Sequence, residues 1–132
     1  LLLIDYGFAC KTVISDPYRC EKKSGSPNFM APELFKYNIS TFIRLNLLSI
    51  LKASDVWALG ICIWILCNLK RPYKSGTYND LKKEILESNA PSLLDTKTDD
   101  DLKNKVHEMV NSMLNKNFKQ RITPDNLLYI YY

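Results

Sequence analysis

The first residues that could do chemistry are an aspartate, a tyrosine and a glycine near the start of the chain. Leu1–Ile4 is an uninterrupted apolar run of the kind that forms a buried strand, and Asp5-Tyr6-Gly7 breaks it. Gly7 is able to adopt the positive φ that tight turns require. A carboxylate held at the end of a strand is a candidate catalytic group, although strand–Asp–x–Gly taken alone is more often a simple turn.

Hydroxyl-bearing residues follow in a second candidate region. Residues 12–25 are polar and show no hydrophobic period, and they include Thr12, Ser15 and Ser24. Loops of this length inside a compact domain are usually functional or mobile. The loop leads into residues 25–33, which read G-S-P-N-F-M-A-P-E. We therefore expect this loop to be functional or mobile and not to be buried in the core.

These residues need a core to position them, and the strongest core element is the stretch Ser54–Leu69. Its middle contains no charged or amide side chain, which predicts a helix that is covered on all sides. Ser54 is a suitable N-cap, and Asp55 suits the positive end of the helix dipole. Gly60 lies in mid-helix at a cost of about 1 kcal/mol relative to Ala, which indicates close approach of a neighbouring backbone. A membrane-spanning helix would need about 20 apolar residues, so a buried core helix is favoured.

Composition sets further bounds. The 132 residues suffice for one domain with one core, and 46% apolar with 24% charged residues is ordinary for a globular protein. The formal charge of +4 comes from lysines scattered among acids, which predicts a solvated surface and no nucleic-acid or membrane partner. The four cysteines lack Cys-x-x-Cys spacing, which favours unpaired thiols in a reducing compartment over disulfides or a zinc site. The chain opens on Leu1 without a signal peptide, and we expect it to be a piece of a longer protein.

Three segments occur in an order that resembles the second half of a eukaryotic protein kinase domain. They are D-Y-G at residues 5–7, G-S-P-N-F-M-A-P-E at residues 25–33 and S-D-V-W-A-L-G at residues 54–60. Kinases carry D-F-G and A-P-E in this order, and D-Y-G is a tolerated variant. The resemblance implies a mainly α fold over residues 1–132, a C-lobe fragment with a short β-hairpin around Asp5-Tyr6-Gly7. It favours a serine/threonine protein kinase over a tyrosine kinase.

The resemblance also implies roles for residues 5–33, which correspond to the activation segment of such kinases. Asp5 would bind the Mg²⁺ that bridges the phosphates of ATP, because magnesium prefers hard oxygen ligands. Ser26 would lie near the catalytic aspartate and help to position the substrate. Thr12, Ser15 and Ser24 are candidate phosphorylation sites, since an added phosphate pairs with arginine. The implied cofactor is Mg-ATP, and the implied partners are ATP and a protein substrate.

Other residues would be structural by the same resemblance. Glu33 would form a partly buried ion pair with Arg121, far along the chain, and so attach the activation segment to the lobe. Asp55, Trp57 and Gly60 would belong to the central helix, about 54–69. In a complete kinase, Asp55 would be buried against the backbone of the catalytic loop, so a chain without that loop would leave its carboxylate unpaired.

One stretch, about 38–51, does not fit the resemblance, because the usual connection before the central helix is shorter and less aliphatic. It is either an added amphipathic helix or a gene-model error. We favour the error, since joining Ile39 directly to Lys52 would restore an ordinary linker. Beyond the central helix, apolar spacing predicts helices over about 77–88, 100–116 and 124–131.

Several parts that kinases need are not found in this sequence. It contains no glycine-rich loop, no strand lysine and no H-R-D catalytic loop. Phosphoryl transfer depends on these parts acting together, so we predict that the chain alone is inactive and folds only marginally. Two functions stay open: part of a serine/threonine kinase that transfers the ATP γ-phosphoryl group, or a non-catalytic kinase-like module that acts as a protein-binding scaffold. An unrelated helical binding or membrane protein is disfavoured, and either favoured function predicts an intracellular, cytoplasmic protein.

Overall fold

The computed structural model describes Gly7, Ala9 and residues 25–38, 46–93 and 100–131. Within these ranges the chain is helical or irregular, with no strand, which confirms the mainly α prediction. Apart from Gly7 and Ala9, the predicted N-terminal β-hairpin lies outside the described residues. The helical elements in these ranges are a 3₁₀ turn at Pro27–Phe29, α1 (Pro32–Lys36), α2 (Leu47–Asn68), α3 (Tyr78–Glu87), α4 (Asp101–Met113) and α5 (Pro124–Tyr131).

The central helix α2 begins at Leu47, well before the start that the sequence predicts at Ser54. Asn46 is the N-cap, and its side chain accepts a hydrogen bond of 3.4 Å from the Ser49 N–H. The prediction that Ser54 caps the helix is wrong because its hydroxyl is used inside the helix. It donates instead to the carbonyl of Ile50, four residues back, at 2.9 Å.

The first turns of α2 belong to the part of the chain that did not fit the resemblance. Leu47 and Ile50 are buried there. They pack against Leu34 of α1, against Tyr37 at its C-terminal end and against Phe118. The rings of Tyr37 and Phe118 meet edge to face with centroids 6.3 Å apart. Residues 47–51 are therefore helical and contribute to packing, whereas residues 39–45 lie outside the described ranges.

One face of α2 carries the main core. Trp57, Ile61 and Trp64 point into a cluster that includes residues of α1, α3 and α4. The opposite face is open: Leu59 and Leu66 are exposed. The prediction that this helix is covered on every side is therefore wrong for the described chain, because no described element packs over that face.

Among the described residues, α2 is the one helix that is long and apolar enough to cross a membrane by length and composition. Core helices of globular proteins meet the same criterion, and α2 buries both of the tryptophans of the chain, Trp57 and Trp64. The expectation of no membrane partner stays a prediction.

Gly60 marks the close approach of α2 to the end of α4. A Cβ added at Gly60 would lie 2.9 Å from Leu114 Cδ2 and 3.0 Å from Met113 Cβ. The sequence predicts a neighbouring backbone at this position, but the atoms in contact belong to side chains. Glycine is favoured here because a larger residue would displace two buried side chains.

The later helices lie close to the predicted ranges. Helix α3 follows Thr77 as its N-cap, α4 follows Asp100, and α5 has the predicted bounds. Helix α4 ends at Met113, a few residues earlier than the predicted end at residue 116. The last helical hydrogen bond is donated by Leu114 to Val110, after which the chain turns toward Arg121.

Candidate functional site

The 25–33 segment lies at the surface at its start and is buried at its end. Gly25 has a φ of +113°, a conformation that favours glycine, and the 3₁₀ turn then directs the chain inward. Ser26 is exposed, and its hydroxyl makes no hydrogen bond with any described residue. Glu33 is buried at the other end of the segment. The segment thus presents a free hydroxyl to solvent and is attached to the core by a carboxylate.

The structure brings Glu33 and Arg121 together as a two-pronged ion pair. Arg121 Nη1 donates to Glu33 Oε1 at 2.6 Å and Nη2 donates to Oε2 at 2.9 Å. Both side chains are buried, with exposed fractions of 1% for Glu33 and 0% for Arg121. Arg121 also donates to the carbonyls of Ala53 and Asn115, and the Ser54 hydroxyl lies 3.4 Å from Glu33 Oε1. Most of the polar groups of the pair are therefore satisfied, as buried charges require.

Trp57 covers the same ion pair from α2. The guanidinium carbon of Arg121 lies 5.0 Å from the centre of the Trp57 ring, within the range of a cation–π contact. Trp57 is fully buried, and its indole N–H has no hydrogen-bond partner among the described residues. The ring therefore excludes water from the pair, which strengthens the attraction between the two charges.

Asp55 lies on the opposite face of α2. Its side chain is exposed and makes no hydrogen bond or ion pair with the described part of the chain. Partial burial by the surrounding apolar surface raises its pKa above the usual value near 3.8. Asp55 is therefore not buried in the way expected for a complete kinase, but its partial burial still raises its pKa.

The raised pKa predicts how stability depends on pH at Asp55. The folded chain binds this proton more tightly than the unfolded chain, so the contribution of Asp55 is favourable at acid pH. That contribution is lost as the pH rises through the pKa of the folded state. We expect Asp55→Asn to melt at a higher temperature than the wild type at pH 7.

The difference between the Asp55→Asn variant and the wild type should shrink as the pH falls, and it should disappear well below pH 3.8, where the Asp55 carboxyl is protonated in both the folded and the unfolded chain. Glu108→Gln, an exposed substitution on α4, is the matched control and should shift the melting temperature little at either pH. Equal melting temperatures for the wild type and the Asp55 variant at pH 7 would contradict this account.

Four of the predicted site residues lie outside the described residues. These are the magnesium candidate Asp5 and the candidate phosphorylation sites Thr12, Ser15 and Ser24. Within the described ranges, no group of three His, Cys, Asp or Glu side chains could hold a metal ion. The roles assigned to these four residues stay predictions.

A cavity of about 150 Å³ beside the 25–33 segment was not apparent from the sequence. It lies between the 3₁₀ turn, the last part of α2 and the loop that follows α2. Its lining residues are Ser26, Asn28, Phe29, Ile65, Arg71, Pro72 and Tyr73. The sequence gives no signal for it, because its two walls are far apart in the chain and Arg71-Pro72 reads as an ordinary helix terminator.

Comparison with known proteins defines the class to which this chain belongs. The family model described as "Protein kinase domain" matches residues 1–132, which is the whole chain. The chain therefore belongs to the protein kinase family, and the buried Glu33–Arg121 pair lies within the matched region.

The curated relatives include protein kinases from a mouse and from fungi. The chain is 27% identical to mouse serine/threonine-protein kinase Nek4 over 79% of its length. It is 28% identical to the calcium/calmodulin-dependent protein kinase kinase cmkC of Emericella nidulans over 96% of its length. It is also 28% identical to the serine/threonine-protein kinase ppk34 of Schizosaccharomyces pombe over 97% of its length. The chain spans only 11%, 22% and 32% of these three relatives, respectively.

Proposed function

We propose that this chain is the C-terminal part of the catalytic domain of a serine/threonine protein kinase. The complete domain would transfer the γ-phosphoryl group of Mg-ATP to a serine or threonine hydroxyl of a protein. The observation that carries the proposal is the buried Glu33–Arg121 pair, which attaches the 25–33 segment to the helical core. The kinase relatives, which match most of the chain, support the same class of reaction.

Two groups of this chain would serve that reaction directly. Ser26, exposed at the start of the segment, would help to position the acceptor hydroxyl of the substrate. Asp5 would supply carboxylate oxygens to magnesium, which neutralises charge on the phosphates when it is bound. The rigid attachment at Glu33 would fix the position of Ser26 relative to the core. Such precision matters because a misplacement of about 1 Å is enough to slow such reactions greatly.

The proposal assigns no activity to the chain by itself. The positioning groups for ATP and the H-R-D aspartate are not in this sequence. Phosphoryl transfer depends almost entirely on positioning and electrostatic stabilisation, so Asp5 alone is not sufficient. We further propose that the protein is intracellular and cytoplasmic, and that its partners are ATP and a protein substrate.

The test uses the longest natural polypeptide that contains this chain. Purified protein is incubated with magnesium and radiolabelled ATP, and transfer to serine, threonine and tyrosine peptides is measured. We expect transfer to serine or threonine, and a loss of at least about a hundredfold in rate for Asp5→Ala. The isolated 132-residue chain should show no transfer above its own Asp5→Ala variant.

Two results would contradict the proposal. Equal transfer by the wild type and Asp5→Ala would show that this carboxylate does not serve the reaction. No transfer at all, together with ATP-independent binding of a protein partner, would favour the scaffold function instead.

A further inference from the structure

A second cavity, of about 380 Å³, lies between the loop that follows α3 and the end of α4. One wall is formed by residues 88–92, and the other by Asn111, Leu114, Asn115 and Lys116. We name it the α3–α4 cavity. No residue of the 25–33 segment or of the smaller cavity beside that segment lines it. It is therefore a separate site from the one proposed above for the acceptor hydroxyl.

Two hydrogen bonds hold the loop wall of this cavity in place. Trp64 of α2 donates its indole N–H to the carbonyl of Ser92 at 3.0 Å. The N–H of Leu93 donates to Asn111 Oδ1 of α4, also at 3.0 Å. Because the loop is attached to two different helices, the cavity is formed before a ligand binds. A preformed site avoids part of the ordering cost of binding.

Lys116 is the one charged residue among the described residues that line the α3–α4 cavity. Its ammonium donates to the carbonyl of Ser88 but forms no ion pair within the described ranges. Glu87 precedes Ser88 in the chain, yet it does not line the cavity. Partial burial lowers the pKa of Lys116, so the charge has lost hydration without gaining a counter-charge. An anion in the cavity would supply that counter-charge.

Two asparagine amides of the cavity add neutral hydrogen-bond donors. Asn111 Oδ1 accepts the bond from Leu93, and Asn115 Oδ1 accepts from the Asn117 N–H at 2.9 Å. With both oxygens used as acceptors, both NH₂ groups are left to donate, and neither has an acceptor among the described residues. The cavity thus combines one ammonium with amide donors, and no described carboxylate lines it.

The helix ends beside the cavity reduce its positive potential without cancelling it. The carbonyl end of a helix carries a partial negative charge of about half a unit, which falls off within one turn. The carbonyls there already accept hydrogen bonds of 3.0 Å, Glu84 from the Ser88 N–H and Val110 from the Leu114 N–H. The full charge of Lys116, in contrast, lines the cavity. We therefore expect a preference for anions that is modest in size.

We propose that the α3–α4 cavity docks an aspartate or glutamate side chain from an acidic segment of a partner protein. One ammonium balances the single charge of a carboxylate, and the cavity has no arginine, the side chain that phosphate recognition favours. The amide of Asn89, an exposed lining residue, can pair with a peptide backbone amide, which favours a protein segment over a small carboxylic acid. This docking site goes beyond the proposed function and does not depend on phosphoryl transfer.

Zero-length cross-linking tests the contact directly, on the longest natural polypeptide that contains this chain. A carbodiimide activates the carboxylate of a short glycine–serine peptide with one central Asp and blocked ends. The deprotonated amine of a lysine in contact attacks the activated carboxylate, and an amide forms with release of a urea. Mass spectrometry after digestion then gives the amount of peptide on Lys116 and on Lys119, which is exposed and does not line the cavity.

Acetate, activated in the same way, is the reference for this experiment, because it reports the intrinsic reactivity of each amine. We expect the ratio of coupling at Lys116 to coupling at Lys119 to be about fivefold higher for the Asp peptide than for acetate. Equal ratios would overturn the proposal, since the lower pKa of Lys116 would then account for its coupling without any docking of a peptide.

Peptide binding to variants of Lys116 gives a second, independent measurement. By fluorescence polarisation, the wild type should bind the Asp peptide about fivefold more tightly than the same peptide with Asn. Lys116→Gln should lose this preference. Lys119→Gln, with the same change in net charge, should keep it. A preference that survives in Lys116→Gln, or that is lost equally in Lys119→Gln, would overturn the proposal, as would tighter binding of a phosphoserine peptide than of the Asp peptide.

Asn111→Asp separates the binding role of the cavity from its structural role. The variant keeps the oxygen that accepts from Leu93 but replaces the donor NH₂ by a charged oxygen. It should melt close to the wild type and lose the preference for the Asp peptide. Asn79→Asp, an exposed substitution on α3 outside the cavity, is the matched control and should keep the preference. If Asn111→Asp still prefers the Asp peptide, the peptide binds elsewhere and the assignment of this cavity is wrong.

Discussion

Glu33→Ala should destabilise the folded chain by about 3–5 kcal/mol, because it leaves the guanidinium of Arg121 buried without its counter-charge. The two hydrogen bonds of 2.6 and 2.9 Å are lost together. Water cannot easily replace the carboxylate, since the side chain of Arg121 has an exposed fraction of 0% and lies against the Trp57 ring. The loss is large compared with the total stability of a typical small domain.

Urea denaturation followed by tryptophan fluorescence measures this loss, because Trp57 lies beside the pair. The matched control is Asp101→Ala, which breaks the ion pair with Lys105 on the surface of α4, where the side chains are 81% and 62% exposed. Exposed pairs contribute about 0–1 kcal/mol, so this variant should unfold almost like the wild type. Glu33→Gln keeps a hydrogen-bond acceptor and should fall between the two. Similar losses for Glu33→Ala and Asp101→Ala would show that the buried pair is not needed for folding.

Local patterns in the sequence predicted most of the helices but not their surroundings. Apolar spacing and capping residues located α3, α4 and α5 to within a few residues. These signals are local, because a helix and its caps are neighbours in sequence. The Glu33–Arg121 contact joins residues 88 positions apart, and no periodicity predicts such a pair. It was expected only because the motifs around it resemble those of a known family.

The start of α2 illustrates where local rules fail. Ser54 is of the residue type that caps helices, yet its hydroxyl serves equally well by donating to the preceding turn. Whether the helix starts at Ser54 or further upstream depends on whether the residues before Ser54 can pack against other parts of the chain. Leu47 and Ile50 do so through Leu34 and Phe118, which are distant in sequence. The helix is therefore extended by tertiary contacts that a reading of local sequence does not contain.

The cavity beside Ser26 was missed for a related reason. Its walls come from the 3₁₀ turn and from the loop after α2, and it exists only when those two segments are packed together. An unpartnered hydroxyl such as that of Tyr73 is likewise a property of the folded chain. Cavity walls that come together from separate segments leave no spacing in the sequence, so such a cavity is harder to predict than the fold class.

Ile50→Ala should destabilise the chain by about 2–5 kcal/mol, the range for truncating a fully buried aliphatic side chain. Ile50 has an exposed fraction of 0% and lies where α2 meets Leu34 and Phe118. Its truncation would leave a cavity between the first turns of α2 and the end of the 25–33 segment. The effect is expected only if residues 46–51 are an integral part of the fold, so this variant distinguishes the two interpretations of the unusual stretch about 38–51.

Leu48→Ala is the matched control for Ile50→Ala, since Leu48 lies in the same turn of α2 but is 41% exposed. Little packing is lost there, so the change in unfolding free energy should stay below about 1 kcal/mol. Both variants keep the backbone hydrogen bonds of the helix and replace one aliphatic residue by a better helix former. Their difference therefore isolates the burial of the Ile50 side chain. If the two variants unfold at the same urea concentration, residues 46–51 are dispensable for stability and the extension of α2 makes no net contribution to the core.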